Sequence, residues 1–429
     1  MDKFVIRGGN PLLGTIKVSG AKNSALPCMA AAILTADEVI LENVPQVQDI
    51  ETERKLLESM GASVQLGYGR AQHRTVIQCA VLSEPVAKYE IVRTMRASSL
   101  VLGPLIARTG MARVAMPGGC AIGGRPIDLH IKGLEAMGAT ITQEHGYLEA
   151  RTSRLKAAHI VFDKITVTGT EDLLMAAVLA DGETLFENCA REPEVIDLAA
   201  LLVAMGAKIE GAGTSTIRVQ GVAKLHGARH KINPDRIEAG TFLIAAAITG
   251  GDLNIEACNP AHLGAVIGKL EECGVKLDVG TDHIRVRSEG AHRGLKCANI
   301  STEEYPGFPT DMQAQYMALA TQCDGTTTVT ENIFENRFMH VQELNRMGAS
   351  IVVNGRTATV RGGAKLQSAA VMCSDLRASA ALVLAAMVAE GESILDRVYH
   401  MDRGYERLEE KLRGVGAQIR RMGEVFAKK

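Results

Sequence analysis

Residues 198–209 read LAALLVAMGAKI, and this stretch shows the pattern that governs the whole chain. Apolar side chains recur at helical spacing from Leu198 to Met205, whereas Ala207-Lys208-Ile209 alternates as a strand does. Gly206 lies between the two, where helices commonly end in a left-handed residue that glycine adopts without strain. The stretch therefore predicts a helix that ends at a glycine and leads into a strand.

The same pattern occurs six times along the chain. Successive glycines are 77, 68, 68, 74 and 68 positions apart, a period too long for ordinary solenoid repeats. Each copy must therefore be a substantial supersecondary block, and six blocks make up the protein. The six glycines are Gly61, Gly138, Gly206, Gly274, Gly348 and Gly416.

Each block also contains a second helix that is rich in Ala and Leu on most faces, which predicts burial. The six predicted starts lie near Lys22, Arg96, Glu171, Asp235, Asp311 and Asp375. Polar residues at these places are typical helix caps. A cation opposes the helix dipole at an N-terminus, so Lys22, Arg96 and Arg377 indicate that an anion binds there.

The last block is incomplete at its C-terminal end, and the N-terminus resembles the missing part. Residues 5–12 resemble residues 359–366, where the fifth block ends, so residues 1 to about 21 are expected to complete the sixth block. The chain is then expected to form two domains, 22–233 and 1–21 plus 234–429. Two crossings between them predict a hinge, and ligands favour the cleft at such an interface.

Composition limits the classes of function. The 429 residues are 46% hydrophobic and 22% charged, with a formal net charge of -2, which gives no global basis for binding nucleic acid. Nine scattered cysteines without a C-x-x-C pair argue against a disulfide framework or a zinc site and favour a reducing, cytoplasmic location. The longest apolar runs, such as 25–36, are too short for membrane insertion.

Residues 117–126 combine four glycines with one thiol, Cys120, and one guanidinium, Arg125. Glycines let such a loop bend closely around a ligand or move, which favours a reactive group on a mobile segment. A glycine-rich turn that holds an inert cysteine is the alternative, because free cysteine is often buried. The residues of the loop alone leave both interpretations open.

Six cations suit a phosphate or carboxylate ligand, although any of them could instead form a surface ion pair. They are Lys22, Arg96, Arg125, Arg337, Arg377 and Arg403. Asp311 follows Pro309 and Thr310, and it is either a helix cap or a general base for a substrate hydroxyl.

Five motifs resemble the UDP-N-acetylglucosamine 1-carboxyvinyltransferases, and together they span the chain. They are Lys22-Asn23, Pro117 to Cys120 with Gly124 to Pro126, Phe308 to Gln313, Phe334 to Phe338, and Asp402 to Gly404. The resemblance implies an α/β fold: a two-domain inside-out α/β barrel built from six βαβαββ repeats. It implies no metal or organic cofactor.

The resemblance also implies a reaction. The enolpyruvyl group of phosphoenolpyruvate passes to the 3′-hydroxyl of UDP-N-acetylglucosamine by addition and elimination, with release of phosphate, in the first committed step of peptidoglycan synthesis. Asp311 is then the base, Cys120 the proton donor and a site of covalent phospholactoyl adduct, and Asp375 assists proton movement or positioning. Lys22, Arg125 and Arg403 hold the phosphate.

The residues that the resemblance places at the substrates form a longer set, with Arg96, Arg377 and Arg403 around the remaining charges of phosphoenolpyruvate. The set is Lys22, Asn23, Arg96, Arg125, Pro126, Asp128, Leu129, His130, Lys164, Thr166, Val167, Asp311, Ile333, Arg337, Arg377 and Arg403. Members of the family carry Cys or Asp at the Cys120 position, and a cysteine implies alkylation by the epoxide antibiotic fosfomycin.

Two questions stay open at this level. A neighbouring arginine favours the thiolate of Cys120, whereas a general acid must carry its proton. The fold and the cations also suit 5-enolpyruvylshikimate-3-phosphate synthase, although the Cys120 loop and the Asp311 motif favour the UDP-sugar enzyme. A non-catalytic scaffold of closed repeats is the third reading, but it leaves the cationic helix starts unexplained.

Overall fold

The computed structural model describes residues 2–67, 73–116, 127–289 and 294–423. The chain divides into two compact units. The inserted unit comprises the described residues between 20 and 233, and the split unit comprises 2–19 together with those between 234 and 423. Each unit has its own hydrophobic core.

The inserted unit contains seven helices and twelve strands among its described residues. Its helices are α1 (Lys22–Ala31), α2 (Gln48–Ser59), α3 (Tyr89–Val92), α4 (Leu102–Thr109), α5 (Asp128–Ala136), α6 (Val167–Ala177) and α7 (Pro193–Ala204). Its strands are β3 (Glu38–Glu42), β4 (Ser63–Leu66), β5 (Thr75–Gln78), β6 (Val86–Ala87), β7 (Met111–Ala115), β8 (Thr140–Glu144), β9 (Tyr147–Arg151), β10 (His159–Val161), β11 (Glu183–Glu187), β12 (Lys208–Glu210), β13 (Thr216–Gln220) and β14 (Arg229–Lys231).

The split unit contains six helices and twelve strands among its described residues. Its helices are α8 (Arg236–Thr249), α9 (Gly264–Glu272), α10 (Gln313–Ala320), α11 (His340–Arg346), α12 (Leu376–Val388) and α13 (Leu408–Gly414). Its strands are β1 (Lys3–Arg7), β2 (Leu13–Lys17), β15 (Asp252–Glu256), β16 (Lys276–Val279), β17 (His283–Arg287), β18 (Ile300–Ser301), β19 (Thr326–Thr330), β20 (Ser350–Asn354), β21 (Thr357–Arg361), β22 (Ala370–Met372), β23 (Glu392–Asp396) and β24 (Gln418–Met422).

Six four-stranded sheets account for these strands, three in each unit, within the part of the chain that the structure describes. Each sheet has one parallel pair and two antiparallel pairs, as in the order β10-β11-β13-β12, where β10 is parallel to β11. Side chains of β15 and β17 alternate between buried and more exposed positions, so one face of their sheet packs on the core.

The Ala- and Leu-rich helices are buried inside each unit, as the repeat predicts. In the split unit, α8, α10 and α12 contact one another, and in the inserted unit α6 contacts both α1 and α4. Nearly every residue of α8 and α12 is buried. Buried helices with sheets packed around them are the inside-out arrangement expected of the α/β fold. No helix among the described residues is both long and apolar enough to cross a bilayer.

The predicted glycine ends of the helices are confirmed. All six glycines have φ between 86° and 107°, and each lies two residues after the last residue of a helix. Nothing lies within 4 Å of the position that a Cβ would take at Gly138, so the left-handed backbone alone selects glycine there. The same left-handed glycine geometry therefore follows all six helices.

Five of the six predicted starts of the buried helices are close to the observed ones. Asp235 and Asp375 cap α8 and α12, α1 begins at Lys22, and short 3₁₀ segments from Arg96 and Thr310 precede α4 and α10. The start near Glu171 was wrong, because α6 begins at Val167. The hydroxyl of Thr166 accepts a hydrogen bond from Gly169 N–H at 3.1 Å and caps the helix earlier.

The N-terminal strands differ from the expectation that residues 1 to about 21 complete the sixth block. Only β1 does so, since it lies between β23 and β24. Strand β2 pairs in parallel with β15 of the fourth block, and β14 pairs in parallel with β3 of the first. The reason is that residues 8–12 carry the chain from the sheet of β1 to the sheet of β15. At the first end Gly9 N–H donates to Met387 O of α12 (2.9 Å), and at the second Leu12 O accepts from Asp252 N–H (2.9 Å).

Candidate active site

Asp311 of the split unit lies between two arginines. Its Oδ1 accepts a hydrogen bond from Arg337 Nη2 at 2.6 Å, and its Oδ2 accepts from Arg377 Nε at 3.2 Å and Nη2 at 3.0 Å. The arginine side chains are only 5% and 6% exposed, whereas that of Asp311 is 27% exposed. The carboxylate is therefore the part of this cluster that solvent reaches best.

Arg337 is held in place by hydrogen bonds that run through Thr310 to Glu331. Its Nη1 donates to Thr310 Oγ1 at 3.1 Å, and that hydroxyl donates to Glu331 Oε2 at 2.9 Å. The other oxygen of Glu331 accepts from the backbone N–H of Ile333 (2.9 Å) and Phe334 (3.1 Å). A fully buried carboxylate thus fixes the loop after β19 and orients the guanidinium.

Arg377 is positioned by its helix and by a tyrosine. It lies in the first turn of α12, and its guanidinium carbon is 5.3 Å from the ring centroid of Tyr405. Tyr405 is itself fixed by Thr241 at 2.9 Å. Arg377 Nη1 is buried and donates no hydrogen bond within the described residues. An anion placed beside it would find an unused donor.

The charge of Asp311 follows from these contacts. Burial alone raises the pKa of this carboxyl, but the positive charges of Arg377 and Arg337 and their hydrogen bonds lower it well below its usual range. Asp311 is therefore ionised at neutral pH and is a weak base while both arginines face it. Any role as a proton acceptor requires that these contacts weaken first.

Asp375 acts structurally as a cap in this structure. Its Oδ1 accepts from the backbone N–H of Arg377 and of Ala378, both at 3.0 Å. Nearby His340 is buried, and burial lowers its pKa to about 4, helped by the charge of Arg337 and opposed by that of Asp375. The cap fixes the turn that carries Arg377, so Asp375 and the Asp311 cluster belong to one array.

The other sequence-predicted residues of the split unit lie near this array along the chain but contact it less. Ile333 is half-buried and belongs to the Glu331 loop. Arg403 is half-buried at the end of the 3₁₀ segment Val398–Arg403, and after burial its charge is the next cause that lowers the pKa of His400.

In the inserted unit, Lys22 begins α1 and is nearly buried. Its Nζ donates to Asp49 Oδ2 at 3.0 Å, and the two side chains are 11% and 4% exposed. No acidic residue occupies the first turn of α1, and Asn23 beside Lys22 is exposed. The helix start therefore carries a cation and an exposed amide where an anion is favoured.

Buried His130, at the start of α5, has both a cation and an anion near it. Burial lowers the pKa of His130 to about 4, and the charge of Arg96 lowers it further, against the opposite effect of Asp128. His130 is therefore neutral at neutral pH. Asp128 is exposed and Leu129 is half-buried against the core, so these residues present both a polar and an apolar surface.

Lys164, Thr166 and Val167 surround the start of α6. Lys164 is exposed, whereas Thr166 and Val167 are half-buried. The hydroxyl of Thr166 is engaged as the cap, so a ligand there would meet the backbone and Lys164 rather than this hydroxyl. Cys120, Arg125 and Pro126 lie outside the described residues.

Two partners in these arrays were not singled out from the sequence. Asp49, which pairs with Lys22, lies 27 positions away on α2, and Glu331 precedes the motif Phe334 to Phe338. Acidic residues at the start of a helix or in a polar loop are common, so neither carried a distinguishing signal. Their burial, at 3% and 0% exposure, is what marks them.

Comparison with other proteins identifies the family and the fold. The family model for EPSP synthase (3-phosphoshikimate 1-carboxyvinyltransferase) matches residues 6–412. Among solved structures, the enolpyruvyl transferase NikO from Streptomyces tendae superposes with a TM-score of 0.88 at 25% identity, over 98% of this chain and 99% of that one. An EPSP synthase from Acinetobacter baumannii gives 0.75 at 19% identity, over 99% and 100%, which shows the shared fold.

Three curated relatives are far more similar, and each is named UDP-N-acetylglucosamine 1-carboxyvinyltransferase. That of Acidobacterium capsulatum is 79% identical over 99% of this chain and 97% of its own length. Those of Koribacter versatilis and Solibacter usitatus are 71% and 61% identical, over 100% and 98% of this chain and 98% and 100% of theirs. The chain therefore belongs to the enolpyruvyl transferase family, within the group of the UDP-N-acetylglucosamine 1-carboxyvinyltransferases.

Proposed function

We propose that this protein transfers the enolpyruvyl group of phosphoenolpyruvate to the 3′-hydroxyl of UDP-N-acetylglucosamine and releases phosphate, the first committed step of peptidoglycan synthesis. The observation that carries the proposal is the Asp311 carboxylate between Arg337 and Arg377, in a chain 79% identical to a relative of that name. The scattered free cysteines support a reducing, cytoplasmic location for the reaction.

Addition of an alcohol to an enol phosphate needs a base at the hydroxyl, an acid at the methylene carbon and cations at the developing charges. Asp311 is the proposed base. Its two arginines hold it ionised but weakly basic in the absence of substrate. An anionic substrate that attracts Arg377 or Arg337 weakens these contacts, so the carboxylate gains basicity when its proton donor arrives.

Cys120 is the proposed acid. It gives its proton to the methylene carbon of phosphoenolpyruvate, and the same thiol accounts for a covalent phospholactoyl adduct. Asp375 caps α12 and helps position or move the proton. These roles come from the motifs that the chain shares with its family.

The cations divide between the charges of the substrates. Lys22, Arg125 and Arg403 are proposed for the phosphate of phosphoenolpyruvate, with Arg96, Arg377 and Arg403 around its remaining charges. The nearly buried pair of Lys22 with Asp49 supports this role, because a lysine held rigidly loses little freedom on binding an anion. The UDP-sugar site is proposed to include Asn23, Arg125, Pro126, Asp128, Leu129, His130, Lys164, Thr166, Val167, Asp311, Ile333 and Arg337.

Phosphate release distinguishes the possible acceptors. The purified chain is incubated with phosphoenolpyruvate and either UDP-N-acetylglucosamine, shikimate-3-phosphate or no acceptor. We expect release with the UDP-sugar alone. Release only with shikimate-3-phosphate would reassign the enzyme, and no release with any acceptor would favour the non-catalytic scaffold.

Fosfomycin tests the proposed acid directly. We expect intact-protein mass spectrometry to show one adduct in the presence of UDP-N-acetylglucosamine, with loss of phosphate release, since the epoxide alkylates a reactive thiol. The Cys120→Asp variant is the matched control and should form none. An adduct that persists in this variant would place the reactive thiol elsewhere.

A further inference from the structure

Three side chains with different metal-binding groups converge inside the inserted unit, on elements far apart in sequence. They are Cys28 on α1, Asp197 on α7 and His230 on β14. One atom from each, the thiol sulfur, a carboxylate oxygen and an imidazole nitrogen, lies within 4.8 Å of the other two. Cys28 is fully buried, and the side chains of Asp197 and His230 are 3% and 14% exposed.

The fold holds these groups in place. Helix α1 packs on α7, and β14 is fixed by its parallel pairing with β3, where His230 lies opposite Leu41. Asp197 Oδ2 accepts from Asn233 N–H at 2.9 Å, which leaves Oδ1 facing His230 Nε2 at 2.8 Å. Backbone contacts thus bring the three groups together, and a bound ion would take the place of the hydrogen bond between Asp197 and His230.

The chemistry of the three groups is that of zinc ligands. Thiolate, imidazole and carboxylate are the three kinds of group that bind zinc in proteins. A thiolate and a carboxylate together carry two negative charges, which a divalent ion neutralises. The combination of sulfur and nitrogen ligands favours zinc over magnesium or calcium.

A fourth buried residue in this unit independently favours the binding of a cation. Glu171 on α6 is 2% exposed, and its Oε1 has no hydrogen-bond partner within the described residues. Helix α6 contacts both α1 and α7, so Glu171 lies on an element packed against the two helices of the cluster, and a cation there would stabilise its buried carboxylate.

We propose that Cys28, Asp197 and His230 bind one zinc-class divalent ion that fastens α1, α7 and β14 together. Binding forms a metal–sulfur bond and releases the thiol proton to solvent, with no change of oxidation state. The ion is structural and takes no part in the transfer reaction, so this site does not depend on the proposed function.

Cobalt(II) provides a direct test, because a cobalt–thiolate bond absorbs in the near ultraviolet. The full chain is stripped with EDTA, dialysed and titrated with Co²⁺, after which Zn²⁺ is added. We expect an absorption band that saturates at one ion per chain and is abolished by zinc. Metal analysis after gel filtration should show one retained zinc.

Matched variants locate the ion. Cys28→Ser and His230→Gln should weaken binding by at least about 100-fold, since loss of even an outer-shell partner costs ~10–100-fold. Cys189→Ser and His159→Gln remove a buried cysteine and a histidine of the same unit outside the cluster and should bind as the wild type does. The melting temperature should rise with Zn²⁺ in the wild type and in both controls but not in His230→Gln.

The result that would overturn the proposal is equally concrete. Absence of the cobalt band in the wild type, or an unchanged band in Cys28→Ser, would show that this cluster is a histidine–aspartate pair beside an inert thiol. Should Cys28→Ser fail to fold, the zinc-dependent melting of His230→Gln decides alone, and a rise equal to that of the wild type refutes the site.

Discussion

Asp311 shows how neighbouring residues can set both the charge and the reactivity of a side chain. Its two arginines keep it ionised, and the same arginines limit its basicity. An exposed aspartate without such arginines would have the same basicity whether or not an anion is bound nearby. In the proposed role of Asp311 as the base, a competing anion would have to draw an arginine away before the carboxylate could accept a proton.

Replacing Asp311 tests this role at the level of one atom. Asp311→Asn keeps the shape but cannot accept the proton, so we expect kcat to fall by about 10²–10⁴-fold. It also leaves the buried guanidiniums of Arg337 and Arg377 without their counter-charge, so the melting temperature should fall as well. Steady-state kinetics and a thermal melt are the measurements. Asp278→Asn, an exposed carboxylate of the same unit, should retain the wild-type kcat. A wild-type kcat in Asp311→Asn would remove Asp311 from the chemistry.

Glu53 on α2 provides a prediction about pH. It is 1% exposed, and burial together with the charge of Asp49 raises its pKa from 4.5 to about 8. Because the folded state holds the proton more tightly than the unfolded state, its contribution is favourable below about pH 4.5 and is lost as the pH rises to 8. Glu53→Gln should therefore match the wild type at pH 5 and exceed it at pH 9, by on the order of a few kcal/mol.

Urea unfolding of the wild type and the variant at both pH values measures this difference. Glu51→Gln on the same helix is the control, because Glu51 is more exposed and pairs with Arg54. Its difference from the wild type should not grow between pH 5 and pH 9. Equal curves for Glu53→Gln and the wild type at pH 9 would mean that Glu53 ionises freely in the folded protein.

At the scale of elements, the ends of helices determine both local stability and the positions of the charged residues of the site. The glycine ends could be predicted from sequence, because a positive φ after an apolar helix selects one residue type locally. The start of α6 was misplaced, because the capping hydroxyl of Thr166 competes with the acidic run that follows. The pairs of Lys22 with Asp49 and of Thr310 with Glu331 join separate elements, and no local pattern reveals them.

Asp375 combines a cap with its proposed part in proton transfer, and two variants separate these roles. Asp375→Ala loses both backbone hydrogen bonds and should destabilise the protein by about 1 kcal/mol. Asp375→Ser keeps a capping oxygen, so its stability should recover while kcat stays low. Thermal melts and steady-state kinetics are the two readouts. Recovery of kcat together with stability in Asp375→Ser would reduce Asp375 to a cap.

At the scale of the whole molecule, the ends of the chain meet in one sheet. Lys3 of β1 lies opposite Met422 of β24. A circular permutant that joins these ends by a short linker and opens between His145 and Gly146, in the exposed turn between β8 and β9, should fold and keep its activity. Circular dichroism and phosphate release check it.

Deletion of residues 2–8 is the contrasting variant. It removes β1 from between β23 and β24, so we expect insoluble protein or loss of the cooperative melt. A soluble deletion variant with a wild-type melting temperature would show that β1 adds nothing to its sheet.

The sequence predicted the six-block α/β fold, the inside-out packing and the family, because these depend on a repeated local pattern and on long motifs. It did not predict the strand exchange, in which β2 pairs with β15 of the fourth block and β14 pairs with β3 of the first block. Nor did it predict the cluster of Cys28, Asp197 and His230, since these residues have no metal-binding spacing along the chain. Both depend on pairings between distant segments.

The strand exchange has a consequence for synthesis on the ribosome. Strand β2 has no partner until β15 has been made, and β1 waits for β23 and β24, nearly four hundred residues later. The inserted unit, in contrast, has all its strands by residue 231. It can therefore fold while the nascent N-terminus is still unpaired, so the last unit to acquire structure is the one that holds the first residues made.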